Sequence, residues 1–223
     1  LLTHFEYAKD IQYSVQIIKA KNWNENWEKN FFDPIAIGKD CIICSSFHKD
    51  LPEATYKIMI DPKMSFGTGH HETTALMVEQ LLKIDLQGKS FLDMGCGTAV
   101  LAILAAKKGA MPIVGIDIDE WAYENSLENI QNNHTEDIQI YLGGAELLVE
   151  KQFDVIFANI NRNILLADMA SYAACLHSGS ELYISGFYVD DMPILKEEAE
   201  KNELQYISFE QKNNWATIRF VKK

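Results

Sequence analysis

Two carboxylates and two glycines near the middle of the chain have the spacing of a nucleoside-binding site. The run Lys89–Ala106 predicts a strand, a turn containing Gly95 and Gly97, and a helix, and Asp117 ends the next apolar run. Glycine at such a turn allows positive φ and lets a ligand approach the backbone without a Cβ in the way. Asp117 follows Asp93 at close to the roughly 20-residue offset at which an acid meets ribose hydroxyls. One strand–helix–strand unit therefore offers a nucleoside site.

The charge at this turn favours a cationic nucleoside over a dinucleotide. The third glycine of the dinucleotide fingerprint would fall at Val100. The acid Asp93 at the strand end repels a phosphate and attracts an ammonium group. S-adenosylmethionine has an ammonium group, a ribose and no phosphate. The turn therefore predicts S-adenosylmethionine rather than NAD, with S-adenosylhomocysteine as product, and a glycine turn that serves packing alone is the open alternative.

Two further segments bring polar groups toward the same site. Residues 61–74 (DPKMSFGTGHHETT) are rich in glycine and hydroxyls and precede a predicted helix, Ala75–Leu82. Such a loop presents free N–H groups and hydroxyls to a carboxylate, although it could be only a helix cap with Thr73 or Thr74 as N-cap. Asn159 lies at the end of the predicted strand Phe153–Ile160, where open α/β sheets bind ligands.

The histidines and cysteines do not predict a metal site. His70 and His71 are adjacent, so their side chains diverge, and no second cluster accompanies Glu72. Cys41 and Cys44 have metal-like spacing but no second pair, and the isoleucines between them indicate a buried strand. The 4 cysteines do not make a disulfide framework in a chain of this size.

The composition fits one substantial domain that acts on a basic partner. The chain has 223 residues, of which 48% are hydrophobic, enough for a sizeable core. Its formal net charge of −12 opposes binding to nucleic-acid phosphates. We therefore expect a basic protein as partner and no direct contact with nucleic acid. An acidic composition that serves solubility alone is the open alternative.

The apolar segments and the N-terminus predict a location. No run is long and apolar enough to cross a membrane, and the N-terminus lacks the pattern of a secretion signal. We therefore expect a cytoplasmic protein without a membrane partner. The chain begins at Leu1 without a methionine, which predicts a fragment of a longer protein.

From Phe91 onward, predicted strands and helices alternate regularly and end in a hairpin, Leu204–Glu210 with Trp215–Val221. This order predicts an α/β fold: a doubly wound, mostly parallel, seven-stranded Rossmann-like sheet with a C-terminal antiparallel hairpin. Upstream, the pattern predicts a strand over Asp10–Lys19 and a helix from Asn22 with an aromatic stripe, followed by strands Cys41–Phe47 and Tyr56–Ile60.

Four motifs carry a resemblance to a known family. The segments FGTGHHETT (66–74), LDMGCGT (92–98), GIDID (115–119) and ANI (158–160), in this order and spacing, resemble class I S-adenosylmethionine-dependent methyltransferases. Within that class they are most similar to the PrmA family, which methylates amines of the eleventh protein of the large ribosomal subunit. The resemblance implies a protein N-methyltransferase that acts on lysine and N-terminal amines of this basic ribosomal protein.

Other functions of the same fold remain open. They are a lysine methyltransferase with another basic substrate, a nucleic-acid or small-molecule methyltransferase, and a binding module without activity. An adenine methyltransferase would be expected to place a proline and an aromatic residue after the strand-end asparagine to stack a flipped base. Here Asn159 is followed by Ile160 and Asn161, which disfavours that alternative.

The resemblance and the residues together imply a cofactor site of eight residues: Phe66, Thr74, Asp93, Gly95, Gly97, Asp117, Glu146 and Asn159. We expect Asp117 to accept the ribose hydroxyls, Thr74 to hold the methionine end and Asp93 to lie near the ammonium group. Glu146 is expected to border the adenine. Asn159 is the expected catalytic residue, since its amide oxygen could accept a hydrogen bond from the substrate amine.

The resemblance also implies a division of the chain. Residues 1–21 would be the remnant of an N-terminal substrate-recognition domain, 22–50 a linker helix and strand, and 51–223 the catalytic domain of a monomer. The chain departs from the family pattern at His70, Glu72 and Ala99, where the family often has Thr, Pro and Gly. The first two could change the rigidity of the loop, and the third slightly crowds the cofactor turn.

Overall fold

The computed structural model describes residues 33–49, 51–61, 63 and 65–223. The predicted strand Asp10–Lys19 and the helix from Asn22 with its aromatic stripe lie outside the described residues, as does the predicted domain remnant 1–21. Within the described part of the chain, no helix has the length and apolar character that a bilayer crossing requires.

Ten strands and five α-helices make up the described chain. The strands are β1 (Ile35–Ile37), β2 (Cys41–Cys44), β3 (Tyr56–Met59), β4 (Phe91–Met94), β5 (Ile113–Asp117), β6 (Ile138–Leu142), β7 (Phe153–Asn159), β8 (Leu176–Tyr188), β9 (Leu204–Lys212) and β10 (Trp215–Lys222). The helices are α1 (Glu72–Lys83), α2 (Val100–Lys107), α3 (Glu120–Asn132), α4 (Arg162–Ala174) and α5 (Met192–Lys201). Two short 3₁₀ segments, Ala145–Leu148 and Val189–Asp191, complete the connections.

The main sheet has seven strands in the order β6-β5-β4-β7-β8-β10-β9. The first five are parallel, whereas β10 is antiparallel to both β8 and β9. The predicted fold class is confirmed, including the antiparallel hairpin. Because β4 is central and its neighbours run parallel to it, the carboxyl ends of β4, β5 and β7 meet at one edge, where open α/β sheets bind ligands.

Helices cover both faces of the sheet, which explains why its central strands are mostly apolar. One cluster of buried residues joins α1 and α2 to the sheet, and a second joins α4 and α5 to the other face. All four residues of β4 are buried, as parallel strands between two helical layers require. The buried aspartate in this strand, Asp93, is therefore an exception that the site has to explain.

A small sheet in the order β1-β2-β3 packs beside the main one. The prediction that Cys41 and Cys44 belong to a buried strand is confirmed, since β2 is buried along its whole length. Strands β2 and β3 pair in parallel across the domain boundary predicted after residue 50. The proposed division of the chain into domains remains a prediction.

Two element boundaries differ from the sequence pattern. Helix α1 begins at Glu72, and its N-cap is His71, whose side chain accepts a hydrogen bond from the Thr73 N–H, so the alternative of an N-cap at Thr73 or Thr74 is wrong. The apolar pattern predicts a strand over Glu181–Gly186, whereas strand β8 begins earlier, at Leu176. The intervening residues 177–180 (HSGS) contain glycine and serine typical of turns, and the register with β7 shifts there, so alternation could not show the early start.

Candidate functional site

A cavity of about 410 Å³ lies at the carboxyl ends of β4, β5 and β7. Five of the eight predicted site residues line it: Phe66, Gly95, Gly97, Asp117 and Asn159. They come from three strand ends and from the loop before α1, so the parallel sheet brings them together from distant parts of the sequence. The cavity is the place in the described chain where the predicted residues converge.

The glycine turn after β4 has the positive φ angles that the sequence predicts, and close packing within the protein is a further reason for glycine there. Gly95 and Gly97 adopt φ values of 70° and 54°, in the left-handed region that glycine favours. A Cβ at Gly95 would collide with the side chain of Ile160, and one at Gly97 would collide with the carbonyl oxygen of Phe66. The close approach at these two positions is therefore made by the protein itself, which packs β7 and the Phe66 loop directly on the turn.

Asp117 is held at the end of β5 by backbone N–H groups. Its Oδ2 accepts a hydrogen bond from Gly97 N at 2.8 Å, and its Oδ1 accepts one from Asp119 N at 3.1 Å. Each carboxylate oxygen can accept more than one hydrogen bond. Asp117 is thus fixed in orientation and retains acceptor capacity toward the cavity, as a ribose diol requires.

Asp93 lies behind the glycine turn rather than in the cavity wall. Its Oδ2 accepts a hydrogen bond from Ala102 N at 3.0 Å, in the first turn of α2. The N-cap of that helix, Ala99, has no side chain able to cap it, so Asp93 takes over the capping role. Burial raises the pKa of Asp93 to about 8, despite the hydrogen bond from Ala102, and the nearby Asp117 adds to the rise.

Three buried side-chain oxygens near the cavity have no hydrogen-bond partner among the described residues: Thr74 Oγ1, Asp93 Oδ1 and Asn159 Oδ1. Buried polar atoms are nearly always paired, and leaving one unpaired costs about 1–3 kcal/mol. Thr74 follows the cavity-lining Thr73 on α1, and Asn159 lines the cavity itself. A ligand carrying a carboxylate, an ammonium group and hydroxyls could supply the missing partners of Thr74 and Asn159, so these residues fit S-adenosylmethionine.

The loop that carries Phe66 is fastened to the glycine turn by two hydrogen bonds. Thr98 N donates to the carbonyl oxygen of Phe66 at 2.9 Å, and Thr98 Oγ1 donates to the carbonyl oxygen of Gly67 at 2.7 Å. The Phe66 side chain itself is 56% exposed at the rim of the cavity. The loop therefore covers the turn while leaving an aromatic ring at the entrance.

Aromatic rings continue from Phe66 across the entrance. The centroid of His71 lies 5.3 Å from that of Phe66 and 4.7 Å from that of Trp215, and Trp215 lies 4.2 Å from Tyr188. Trp215 begins β10 and pairs in register with Tyr188 at the end of β8. Antiparallel pairing of β10 thus delivers Trp215 to the carboxyl edge of the parallel strands. Such a row suits an alkyl chain that ends in an amine or ammonium group.

Glu146 lies outside the cavity wall. Its Oε1 accepts a hydrogen bond from Gly144 N at 2.7 Å, and this bond lowers the pKa of the exposed Glu146 carboxyl. The neighbouring Gly143 and Gly144 line the cavity instead. Glu146 shapes the turn after β6, and any contact with an adenine stays a prediction.

Sequence reasoning missed several residues that line the cavity: His71 as a lining residue, Thr73, Ile118, Asp119, Ala122, Asn161, Ile164, Asp168, Gly186 and Trp215. Ile118 and Asp119 directly follow Asp117, so the strand-end rule could have found them. Nothing in the local pattern marks Asp168, which lies inside α4. Trp215 becomes visible only when the sheet order is known.

Comparisons with known proteins identify the relatives of this chain. A family model described as ribosomal protein L11 methyltransferase (PrmA) matches residues 2–223. A protein of that name from Bacteroides thetaiotaomicron is 58% identical over 213 residues, which cover 95% of this chain and 76% of the relative. Another of the same name, from Phocaeicola vulgatus, is 55% identical over 214 residues, which cover 96% of this chain and 76% of the relative.

A solved structure shows the same fold. The crystal structure of a ribosomal protein L11 methylase from Lactobacillus delbrueckii subsp. bulgaricus superposes with a TM-score of 0.80 at 23% identity, and the match covers 87% of this chain and 100% of that chain. The fold, the motifs around the cavity and the match over nearly the whole sequence lead to one conclusion. The chain belongs to the ribosomal protein L11 methyltransferase (PrmA) family of S-adenosylmethionine-dependent methyltransferases.

Proposed function

We propose that this chain transfers methyl groups from S-adenosylmethionine to lysine and N-terminal amines of ribosomal protein L11. The observation that carries the proposal is the cavity that places Asp117 and the unpaired Asn159 oxygen on one edge of the sheet. The names of the relatives from Bacteroides thetaiotaomicron and Phocaeicola vulgatus support the choice of substrate.

The residues of the chain divide the binding of the methyl donor among them. Asp117 accepts hydrogen bonds from the ribose hydroxyls, because the N–H groups of Gly97 and Asp119 already fix its orientation. Thr74 donates from its buried hydroxyl to the methionine carboxylate. Asp93 lies behind the glycine turn, so its expected contact with the ammonium group stays a prediction. When bound, S-adenosylmethionine supplies an electrophilic methyl group on a sulfonium.

The substrate amine must arrive neutral and correctly aligned. A lysine amine has a pKa of about 10.4 in water and attacks only after losing a proton. Apolar lining residues such as Ile160 and Ile164 disfavour the charged form once the side chain enters. Asn159 Oδ1 accepts a hydrogen bond from the neutral amine and thereby aims its lone pair, so the chain contributes alignment and desolvation rather than a strong base.

We do not assign His71 as a base that removes a proton from the substrate amine. Its Nδ1 accepts the hydrogen bond from Thr73 N at 3.3 Å that caps α1, and it lies 2.8 Å from Thr73 Oγ1. His71 instead contributes its ring to the aromatic row at the entrance.

Titration calorimetry tests the cofactor site. Asp117→Ala should weaken binding of S-adenosylhomocysteine about tenfold or more, because it removes charge-assisted hydrogen bonds worth about 1.5–3 kcal/mol. The matched control is Asp137→Ala, which removes an exposed carboxylate just before β6 and should leave the affinity unchanged. Equal affinity of Asp117→Ala and wild type would remove Asp117 from the site.

Single-turnover methylation of purified ribosomal protein L11 tests the catalytic residue. Asn159→Ala should lower the rate about a hundredfold through lost alignment and weaken cofactor binding by much less. Mass spectrometry of the product identifies the amines that accept methyl groups. An unchanged rate would show that Asn159 has no catalytic role.

We also propose that the protein acts in the cytoplasm as a monomer, on a protein and not directly on nucleic acid or membranes. The net charge of −12 supports a basic protein partner. Light scattering during size-exclusion chromatography would reveal a dimer and contradict the monomer.

A further inference from the structure

Helix α3 and its C-cap carry a row of three buried asparagines, Asn125, Asn129 and the C-cap Asn133, which we call the asparagine ladder. They are spaced four residues apart and therefore share one helix face. Asn125 and Asn129 are fully buried and Asn133 is 6% exposed. Asparagine is a poor helix former and is expensive to bury unless its amide is hydrogen-bonded, so such a row needs a reason.

The ladder binds the backbone of Met59, which ends β3, and of Asp61, which follows it. Asn133 accepts from Met59 N at 2.8 Å and donates to the Met59 carbonyl at 2.6 Å. Asn129 accepts from Asp61 N at 3.0 Å. Asn125 donates to the Asp61 carbonyl at 2.9 Å. The side-chain amides thus replace a neighbouring strand for this segment.

The ladder also reaches the two parts of the cofactor site. Asn129 Nδ2 donates to the Thr98 carbonyl at 3.1 Å, and Thr98 is the residue that fastens the Phe66 loop to the glycine turn. Asn125 Oδ1 accepts from the hydroxyl of Ser65, directly before Phe66, at 2.5 Å. The end of the ladder nearest the cavity therefore holds both sides of the contact between loop and turn.

Substitutions at the asparagines of the ladder should have different effects, because these residues lie at different positions along α3. Asn125 lies near the start of α3, whose N-cap Asp119 lines the cavity next to Asp117. Asn133 lies at the far end of α3 and binds Met59 in the small sheet. A substitution at Asn125 should therefore disturb the cavity, whereas a substitution at Asn133 should disturb the packing of the small sheet.

We infer that Asn125 and Asn129 are positioning residues for the methyl-donor site: their side-chain amides hold Asp61, Ser65 and Thr98 so that Phe66 lies against the glycine turn. This inference rests on the proposed function, because it assumes that the cavity binds S-adenosylmethionine. Asn133 anchors the small sheet and belongs to the fold rather than to the site.

A comparison along the ladder tests the inference. Asn125→Ala and Asn133→Ala each remove buried hydrogen bonds and should both lower the urea midpoint of unfolding. Calorimetry with S-adenosylhomocysteine, at a temperature where every variant is folded, separates them. Asn125→Ala should weaken binding about fivefold to tenfold, whereas Asn133→Ala should stay within about twofold of wild type. In turnover assays, Asn125→Ala should raise KM for the methyl donor more than it lowers kcat.

Further variants serve as controls for this test. Gln131→Ala changes an exposed amide side chain of the same helix and should change neither readout. Asn125→Asp keeps the oxygen that accepts from Ser65 but places a second oxygen against the Asp61 carbonyl at a fully buried position, so its affinity should be no higher than that of Asn125→Ala. If Asn125→Ala does not fold, Ser65→Ala removes the same contact from the loop side and should weaken binding about threefold.

The outcomes distinguish this inference from the proposed function. If wild type binds S-adenosylhomocysteine and Asn125→Ala and Ser65→Ala bind it equally well, the ladder is structural only and the inference fails. The inference also fails if Asn125→Ala and Asn133→Ala weaken binding to the same extent. If wild type itself does not bind, the proposed function fails.

Discussion

Among single residues, Asp93 is a buried acid, and within the described part of the chain a single backbone N–H, that of Ala102, donates to its carboxyl group. Its pKa is raised to about 8 by burial, whereas the ordinary value is near 3.8. Between these two values the folded protein holds one proton more than the unfolded chain. Stability therefore falls as pH rises through this window, by at most about 1.4 kcal/mol per pH unit.

Asp93→Asn should remove this pH dependence while keeping the shape of the side chain. Urea unfolding of both proteins from pH 5 to pH 8 gives the difference in the free energy of unfolding, and the subtraction cancels the groups that they share. We expect the free energy of unfolding of the variant to rise steadily relative to that of the wild type as pH rises. If the free energies of unfolding of the two proteins changed with pH in the same way, Asp93 would already be ionised in the folded protein.

The residues of the site were predictable where they follow a strand end. Asp117 and Asn159 each end a buried strand, so their place at the carboxyl edge follows from the parallel sheet. Asp168 was not predictable, because it lies inside a helix whose cavity-facing side depends on packing. Its Oδ2 accepts a hydrogen bond from Tyr172 at 3.2 Å, a contact that the sequence pattern does not single out.

Among the elements, the turn after the 3₁₀ segment Ala145–Leu148 contains a strained residue. Glu150 is exposed and has a φ of 62°, a conformation that costs a residue with a Cβ about 1 kcal/mol or more. Glu150→Gly should therefore raise the free energy of unfolding by about 0.5–1 kcal/mol. Glu124→Gly, at an exposed position inside α3, is the matched control and should lower it by about 1 kcal/mol. Changes of the same sign in urea unfolding would contradict this account.

A second feature at the scale of elements is a set of side-chain contacts centred on Asp154. They join the starts of β4 and β7 to β8, at the edge of the sheet away from the cavity. Asp154 accepts hydrogen bonds from the N–H and the hydroxyl of Ser90, both at 2.8 Å, and His177 Nε2 lies 3.0 Å from its other oxygen. Burial by itself raises the pKa of Asp154, but these bonds outweigh it and hold the pKa below its ordinary value. The carboxylate form is therefore the one that stabilises the fold.

Asp154→Asn should lower stability at neutral pH by about 1 kcal/mol, a modest loss because the side chain is 38% exposed. The stabilisation by the carboxylate is present above its ordinary pKa and is lost as pH falls through the lower folded value. The difference between wild type and variant in urea unfolding should therefore shrink below about pH 4. A difference that stays constant down to pH 3 would show that ionisation of Asp154 does not matter.

At the scale of the whole molecule, the sequence indicated the alternation of strands and helices but not the order of the last strands. Strand β10 lies between β8 and β9, and only this order brings Trp215 beside Tyr188 and His71. The asparagine ladder was equally hidden, since Asn125 meets Asp61 from a separate part of the chain. Such contacts depend on long-range packing, which local periodicity does not encode.

The charge of the whole molecule leads to a final prediction about salt. The chain has a formal net charge of −12, and its proposed substrate is a basic protein, so long-range attraction should aid their encounter. Raising the ionic strength from about 0.01 M to 0.15 M shortens the Debye length from roughly 30 Å to 8 Å. KM for ribosomal protein L11 should therefore rise several-fold in a methylation assay, while calorimetry shows the affinity for S-adenosylhomocysteine, which carries no net charge, nearly unchanged. A KM independent of salt would mean that short-range contacts alone select the substrate.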